Sequence, residues 1–189
     1  VFNPAGFSGV LAVTAGTIDF NLSLTDGAPD PSSNGIDFIG WQYETDVGNP
    51  APEIDAQSTT TIASTTGARF VSSDGSEFQL DSLDVDNFSA TSQDITFTGY
   101  LNTSAVTGAT VTQTVADGAG FTSVSFGTDF ENIDEVRVST STAIGSVTAS
   151  IAVDNVVVSN AVVSNVAPTI TFPTPSAIDE DSGATTLGD

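Results

Sequence analysis

Hydrophobic and polar positions alternate along this chain in short runs that are separated by glycine and aspartate. In residues 94–101, for example, Ile95 and Phe97 fall on one side of an extended strand. Runs of this kind predict strands at residues 10–14, 17–24, 36–43, 59–64, 68–72, 77–80, 94–101, 110–115, 122–126, 134–139 and 147–159. Helix signals are nearly absent. Many short strands joined by turns predict an all-β antiparallel β-sandwich, a jelly roll.

The charge of the chain changes this picture. It has 24 acidic residues against two basic ones, and its formal net charge is −22. Repulsion at this density opposes a compact fold. Calcium takes six to eight oxygen ligands, and aspartate in turns supplies them well. The composition therefore predicts that the jelly roll has long calcium-binding loops with several bound Ca²⁺ ions, and a solvated acidic surface is the alternative.

The residue types that are missing exclude several functions. Without cysteine or histidine, zinc and copper sites are improbable. Without lysine as well, most catalytic bases and nucleophiles are absent, so we expect no enzyme. Two arginines cannot neutralise a nucleic acid, and no apolar run reaches the length of a membrane span. We expect an extracellular protein of a bacterial cell surface.

The acidic segment at residues 74–87 is the first candidate metal site. Its aspartates recur at short spacings, which would let a loop wrap around one ion. The candidate ligands are Asp74, Asp81, Asp84 and Asp86. The alternative is a solvated turn capped by aspartate.

Residues 25–37 form the second candidate, a loop with few apolar residues of its own. Its candidate ligands are Asp26, Asp30 and Asp37. Aromatic residues follow close to further acids, a mixture that suits ligand recognition. The predicted ligand-binding residues are Trp41, Tyr43, Asp46, Asp86 and Asn87. Trp41 could instead be a core residue.

A third acidic cluster precedes the strand that contains Arg137. Its candidate metal ligands are Asp129, Glu131 and Asp134. The alternative is a structural arginine among acids. The last strand holds Asp154 and Asn155 between apolar residues, where polar groups are costly unless they are satisfied.

Three motifs in order resemble bacterial jelly-roll modules akin to carbohydrate-binding modules. They are Gly-x-x-Phe-x-Leu-x-Ser-Leu-Asp at 75–84, Ile-Asp-x-Val at 133–136 and Val-Asp-Asn-Val-Val-Val at 153–158. The resemblance implies that Asp154 holds a structural calcium ion, with Asp19 from an early strand as its partner. Residues 165–189 begin with Asn-Val-Ala-Pro and resemble the opening of bacterial Ig-like or cadherin-like tandem repeats; a Pro-rich linker is the alternative.

The module at residues 1–164, followed by a linker or repeat start at 165–189, resembles the ligand-binding region of giant repeats-in-toxin adhesins. This resemblance implies calcium-dependent cell adhesion, as in biofilms. The expected ligand is the C-terminal carboxylate of a peptide, because an anion needs a cation between itself and this surface. The alternatives are a glycan on the target cell, or a calcium-rigidified stalk domain with no ligand. Neighbouring tandem repeats of the same polypeptide are the other expected partners.

Overall fold

A computed structural model describes residues 12–20, 30–44, 53–56, 68–89, 91–141 and 151–162 of the chain. Within these ranges the regular structure is almost entirely strand. The strands are β1 (Gly16–Ile18), β2 (Ser32–Ser33), β3 (Ile36–Ile39), β4 (Gln42–Glu44), β5 (Glu53–Asp55), β6 (Arg69–Ser72), β7 (Phe78–Asn87), β8 (Gln93–Leu101), β9 (Ser104–Val115), β10 (Thr122–Ser125), β11 (Glu135–Thr140) and β12 (Ile151–Asn160). One 3₁₀ turn, Thr128–Phe130, lies between β10 and β11. No helix in these ranges is long and apolar enough to span a bilayer.

The strands form two antiparallel sheets of six strands each, which confirms the predicted β-sandwich of jelly-roll type. The first sheet has the order β10-β7-β12-β5-β4, and β1 also pairs with β12. The second has the order β2-β3-β6-β11-β8-β9. Period-two alternation explains the arrangement, since each strand turns one set of side chains into the core and the other set outward.

The core between the sheets is rich in aromatic rings. Phe20, Phe38 and Phe70 stack edge to face with centroids 5.0 and 5.1 Å apart, and Trp41 lies 5.5 Å from Phe70. A second aromatic group consists of Phe97, Phe126 and Phe130. Ile95 and Phe97 are fully buried, as the alternation predicted.

The predicted strand at 36–43 is wrong in one respect, because the chain breaks it into two. β3 belongs to the second sheet and β4 to the first, and Gly40 lies between them with φ at +80°. Glycine adopts this left-handed conformation without steric cost. The break lets the segment cross from one sheet to the other, so that both β3 and β4 contribute side chains to the core. The predicted strand at 59–64 and the predicted repeat start at 165–189 lie outside the described residues.

Candidate functional site

The outward side of the first sheet carries acids from three neighbouring strands, and we name it the acidic face. Its members are Glu53, Asp55, Asp84, Asp86 and Asp154. Ile54, Val85 and Val153 lie between them in sequence and fill the core, so alternation turns the acids outward. Four of the five are nonetheless buried, since only Asp84 exceeds 8% exposure. Burying a carboxylate is costly unless it is paired.

Asp154 lies where β12 changes its neighbour. On one side β5 pairs with Ala152 and Val153, whereas β1 pairs with residues 156–158. The register with β7 also shifts between Asp154 and Val157, and Asn155 has φ at +49°. This is a β-bulge, a feature that often lies beside functional sites. The bulge leaves Asp154 at a gap between two partner strands.

Asp154 is 4% exposed, and its carboxyl group is incompletely satisfied. Burial raises its pKa, the backbone N–H groups of Asn155 and Phe20 act against this, and the charges of Asp19 and Asp84 raise it further. Its Oδ1 atom has no hydrogen-bond partner in the part of the chain that the structure describes. A buried acceptor without a donor is an uncompensated cost that a cation would relieve.

Asp84 is the direct cross-strand partner of Asp154. Both of its oxygens accept hydrogen bonds, one from the Ser123 hydroxyl and one from the Asn155 amide at 3.0 Å. Asp19 follows β1 and is exposed. Asp84 and Asp154 thus lie opposite each other on adjacent strands, and the charge of Asp19, the residue after β1, also acts on Asp154.

Carboxylates alone do not complete a metal site in the described ranges. No group of three or more acidic side chains there is arranged closely enough to hold an ion by itself. Calcium also accepts backbone carbonyls and water as ligands. Asp84 and Asp154 are therefore two carboxylates beside a gap in the sheet, and an ion bound there would need further oxygen ligands.

The predicted loop at residues 74–87 is wrong, because residues 78–87 form the ten-residue strand β7. In an extended strand alternate residues lie almost 7 Å apart, so Asp84 and Asp86 cannot wrap around one ion. Asp81 accepts hydrogen bonds from Gln79 and Ser159. Asp74 caps a turn by accepting from Ser72 and Ser76, and the bonds from Ser76 lower its pKa most.

The other predicted metal ligands in the described ranges lie apart from this group. Asp30 accepts the Gly40 N–H at 2.7 Å, and Asp37 accepts the Ser73 hydroxyl at 2.8 Å. Asp134 accepts the Asn102 N–H at 2.8 Å. Asp129 and Glu131 lie in and just after the 3₁₀ turn. Their role as metal ligands stays a prediction, and Asp26 and Asp46 lie outside the described residues.

The aromatic pair that we predicted to bind ligand lies in the core. Trp41 is fully buried and Tyr43 is 2% exposed, which agrees with the alternative reading of Trp41. Asn87 is also buried, and its amide donates to the backbone carbonyls of Thr91 and Val115. Asp86 accepts the N–H of Asn87 at 2.7 Å. These side chains do not form an exposed platform.

The structure has a second surface that was not predicted from the sequence. The outward side of β6, β11, β8 and β9 carries hydroxyl groups, one aromatic ring and both arginines, and we name it the hydroxyl face. Its members are Arg69, Thr96, Thr98, Tyr100, Thr110, Thr112, Arg137 and Ser139. Each is half-buried or exposed. Alternation with the buried residues Phe70, Phe97 and Val136 was the signal that could have revealed it.

The arginines of the hydroxyl face share one acid, Glu135. Arg137 binds it through Nε at 2.8 Å and Nη2 at 3.0 Å, and Arg69 through Nη1 at 3.3 Å. Burial would raise the pKa of Glu135, but the hydrogen bond and charge of Arg137, and then Arg69, lower it. The same pair raises the pKa of Arg137. The Arg137 guanidinium also lies 3.9 Å from the ring centre of Tyr100, a cation–π contact.

Solved structures with a similar fold include two mutants of one carbohydrate-binding module. One is a mutant of CBM29-2, a family 29 carbohydrate-binding module, complexed with mannohexaose; it is 19% identical over 80% of this chain and 94% of that chain, with a TM-score of 0.43. The other is a second CBM29-2 mutant, 16% identical over 72% of this chain and 91% of that chain, with a TM-score of 0.40. No protein-family model matches the sequence, and no curated protein does.

Proposed function

We propose that this chain is a non-catalytic, calcium-dependent, carbohydrate-binding module of an extracellular bacterial adhesin. The observation that carries the proposal is the hydroxyl face. Threonine hydroxyls both donate and accept hydrogen bonds, as sugar hydroxyls do. Tyr100 adds an apolar ring with a polar tip, and Arg137 adds strong donors. Binding sites commonly combine an aromatic surface with a few placed polar groups.

The shape of the hydroxyl face suits an extended ligand. Thr98 pairs with Thr110 and with Arg137, and Thr96 pairs with Thr112 and with Ser139. These registers align the side chains in rows across the strands. Neighbouring strands lie about 4.8 Å apart, so the four adjacent strands β6, β11, β8 and β9 make a strip about 15 Å wide. A short oligosaccharide could lie along such a strip.

Calcium is the second part of the proposal, and Asp154 supports it. Its buried Oδ1 lacks a donor in the described ranges, and Asp84 and Asp19 add negative charge beside it. A bound calcium ion would supply the positive charge that these groups lack. Asp154 and Asp84 would hold it from adjacent strands, backbone carbonyls or water would complete its ligands, and Asp19 would add negative charge nearby. The hydrogen bonds from Ser123 and Asn155 would orient the Asp84 carboxylate.

A chelator experiment tests the calcium part. We expect that calcium raises the melting temperature of the chain and that EDTA reverses this. In Asp154→Asn, the calcium-induced rise should be lost, while the metal-free protein should melt no lower than the wild type, because a costly buried charge is removed. Asp117→Asn, at an exposed turn position, is the matched control and should respond to calcium normally. An unchanged calcium response in Asp154→Asn would contradict this site.

Peptides with a free C-terminus are the second ligand class to be tested, because two arginines on one open face could also bind a C-terminal carboxylate. Glycan arrays and arrays of peptides with free or amidated C-termini would be probed in calcium and in EDTA. Binding to glycans in calcium supports the proposal. Binding only to free C-termini would replace it with peptide recognition. Stabilisation by calcium without any ligand would instead indicate a stalk domain.

A further inference from the structure

The two arginines are the only side chains in the sequence that can be positively charged. They lie 68 positions apart along the chain, yet the structure pairs Arg137 directly with Arg69 across β11 and β6. Like charges opposite one another on a sheet repel. Any cationic patch formed by side chains of this protein must therefore include this pair.

Glu135 offsets this repulsion only in part. It is 8% exposed at its side chain and accepts hydrogen bonds from both arginines. Two guanidinium groups and one carboxylate leave one net positive charge. The arginine side chains are 32% and 30% exposed, so that charge faces the solvent.

The guanidinium groups also keep unused donors. Arg137 uses Nε and Nη2 for Glu135, which leaves the Nη1 group for another acceptor. Arg69 uses Nη1, which leaves its Nη2 group for another acceptor; its Nε is buried and has no acceptor in the ranges that the structure describes. A guanidinium group matches a planar carboxylate with two parallel hydrogen bonds. The pair is therefore suited to a second carboxylate, supplied by a ligand.

We infer that the hydroxyl face binds a carboxylated sugar, a uronate unit of an acidic oligosaccharide, with its carboxylate at Arg69 and Arg137. This inference rests on the proposed function and names the ligand class of the same site. The ring of Tyr100 and the threonine rows beside Arg137 would contact the sugar ring and its hydroxyls. A uronate would be repelled by the rest of a chain of net charge −22, so charge alone would direct it here.

Calorimetric titration of the whole chain in calcium tests the inference with matched ligands. The probes are trigalacturonate, its fully methyl-esterified form and neutral mannotriose. The ester keeps the ring and the hydroxyls but removes the charge. We expect trigalacturonate to bind roughly tenfold or more tightly than the ester, as loss of a charged hydrogen bond implies. Equal binding of acid and ester would overturn the inference, as would equal binding of a sulfated trisaccharide.

Variants of the face separate the roles of charge and ring. Arg137→Lys keeps a positive charge beside Glu135 but loses the planar fork, so it should weaken acid binding roughly tenfold and leave ester binding unchanged. Tyr100→Thr should weaken both ligands by the same factor. Ser125→Ala, an exposed change on the first sheet, is the control and should bind as the wild type does. Wild-type affinity for trigalacturonate in Arg137→Lys would overturn the inference.

The wild-type chain provides a readout that does not depend on any variant folding. With two arginines it has two arginine Nε–H signals in a nitrogen–proton NMR spectrum. Trigalacturonate should shift both signals and the ester neither. Absence of any shift at saturating trigalacturonate would overturn the inference.

The outcomes separate this inference from the proposed function. If mannotriose and the ester bind the hydroxyl face as tightly as the acid, the uronate assignment is wrong and carbohydrate binding stands. If no glycan of any kind binds in calcium, the proposed function itself fails, and the uronate assignment with it.

Discussion

At the scale of single residues, Asp154 shows that a buried carboxylate needs hydrogen-bond donors or a positive charge beside it. It lies among valines in β12, with 4% exposure and one oxygen lacking a donor in the described ranges. The sequence identified it because a charged residue inside an apolar strand needs a partner. Its neighbour Asp84 was also predicted as a ligand, but only the cross-strand register shows that the two face each other.

Glu135 gives a prediction about pH. Its pKa in the folded state lies below the ordinary value of 4.5, so folding favours its ionised form. Its contribution to stability is complete above pH 4.5 and is lost as the pH falls through the lower folded pKa. Relative to Glu135→Gln, the wild type should be more stable by about 1–3 kcal/mol at neutral pH.

This difference should shrink steadily below pH 4.5. Urea unfolding of both proteins at a series of pH values, at fixed ionic strength, measures it. The comparison between two proteins cancels the titration of the other acids, which changes in both. A gap that stays constant from neutral pH to pH values well below 4.5 would contradict the assigned ion pairs.

At the scale of elements, two bulges control where side chains point. In β7 the core positions change from Phe78 and Leu80 to Leu83 and Val85, so the alternation shifts by one residue in between. In β12 the same shift occurs at Asn155. A one-residue shift moves every later side chain to the other face. Without these bulges Asp84 would point to the core.

Close packing behind β8 gives a prediction for Gly99. A Cβ atom there would lie 2.9 Å from Ile133 and 3.0 Å from Ala109, closer than side chains tolerate. We expect Gly99→Ala to destabilise the fold by about 1–3 kcal/mol through overpacking. Gly127→Ala is the matched control, since Gly127 has φ at −91° and no atom within 4 Å of a Cβ.

The control should change stability by less than about 0.5 kcal/mol. Chemical denaturation at constant calcium measures both variants. Equal stability of Gly99→Ala and the wild type would show that β8 and the segment around Ile133 have room to move apart, contrary to the packing described above.

At the scale of the whole molecule, the two sheets carry different chemistry on their outer sides. The acidic face gathers five carboxylates, whereas the hydroxyl face carries both cations of the chain. Alternate residues of each strand point to opposite sides of its sheet, so the outer side of each sheet is lined by one set of alternating residues. The two sheets carry different residue types in that set, and their outer sides therefore differ in chemistry. We expect the two faces to serve different tasks, with metal binding on the first and ligand binding on the second.

The net charge of −22 gives a prediction about salt. The Debye length falls from about 30 Å at 0.01 M to about 3 Å at 1 M salt, so repulsion between acids weakens. In EDTA the melting temperature should therefore rise with sodium chloride, and it should rise less when calcium is present. Calorimetry measures it, and tetramethylammonium chloride at equal ionic strength separates screening from sodium binding. A melting temperature that falls with salt would contradict the role of repulsion.

The sequence by itself determined the fold class, most of the strands in the described ranges and the apolar alternation that fills the core, because these follow from local periodicity. It also identified Asp154, Asp84 and Asp19 as candidate metal ligands. It failed at residues 74–87, where aspartates typical of loops lie in a strand that neighbouring strands stabilise.

Only the tertiary structure decided which residues meet. It buried Trp41 and Tyr43 in the core, and it paired Arg69 with Arg137 across two strands. Such contacts depend on strand order, register and bulges, which long-range packing selects and no local pattern encodes. The chain therefore carries its chemistry in its sequence, but the neighbours of each charged group are set by the way the two sheets assemble.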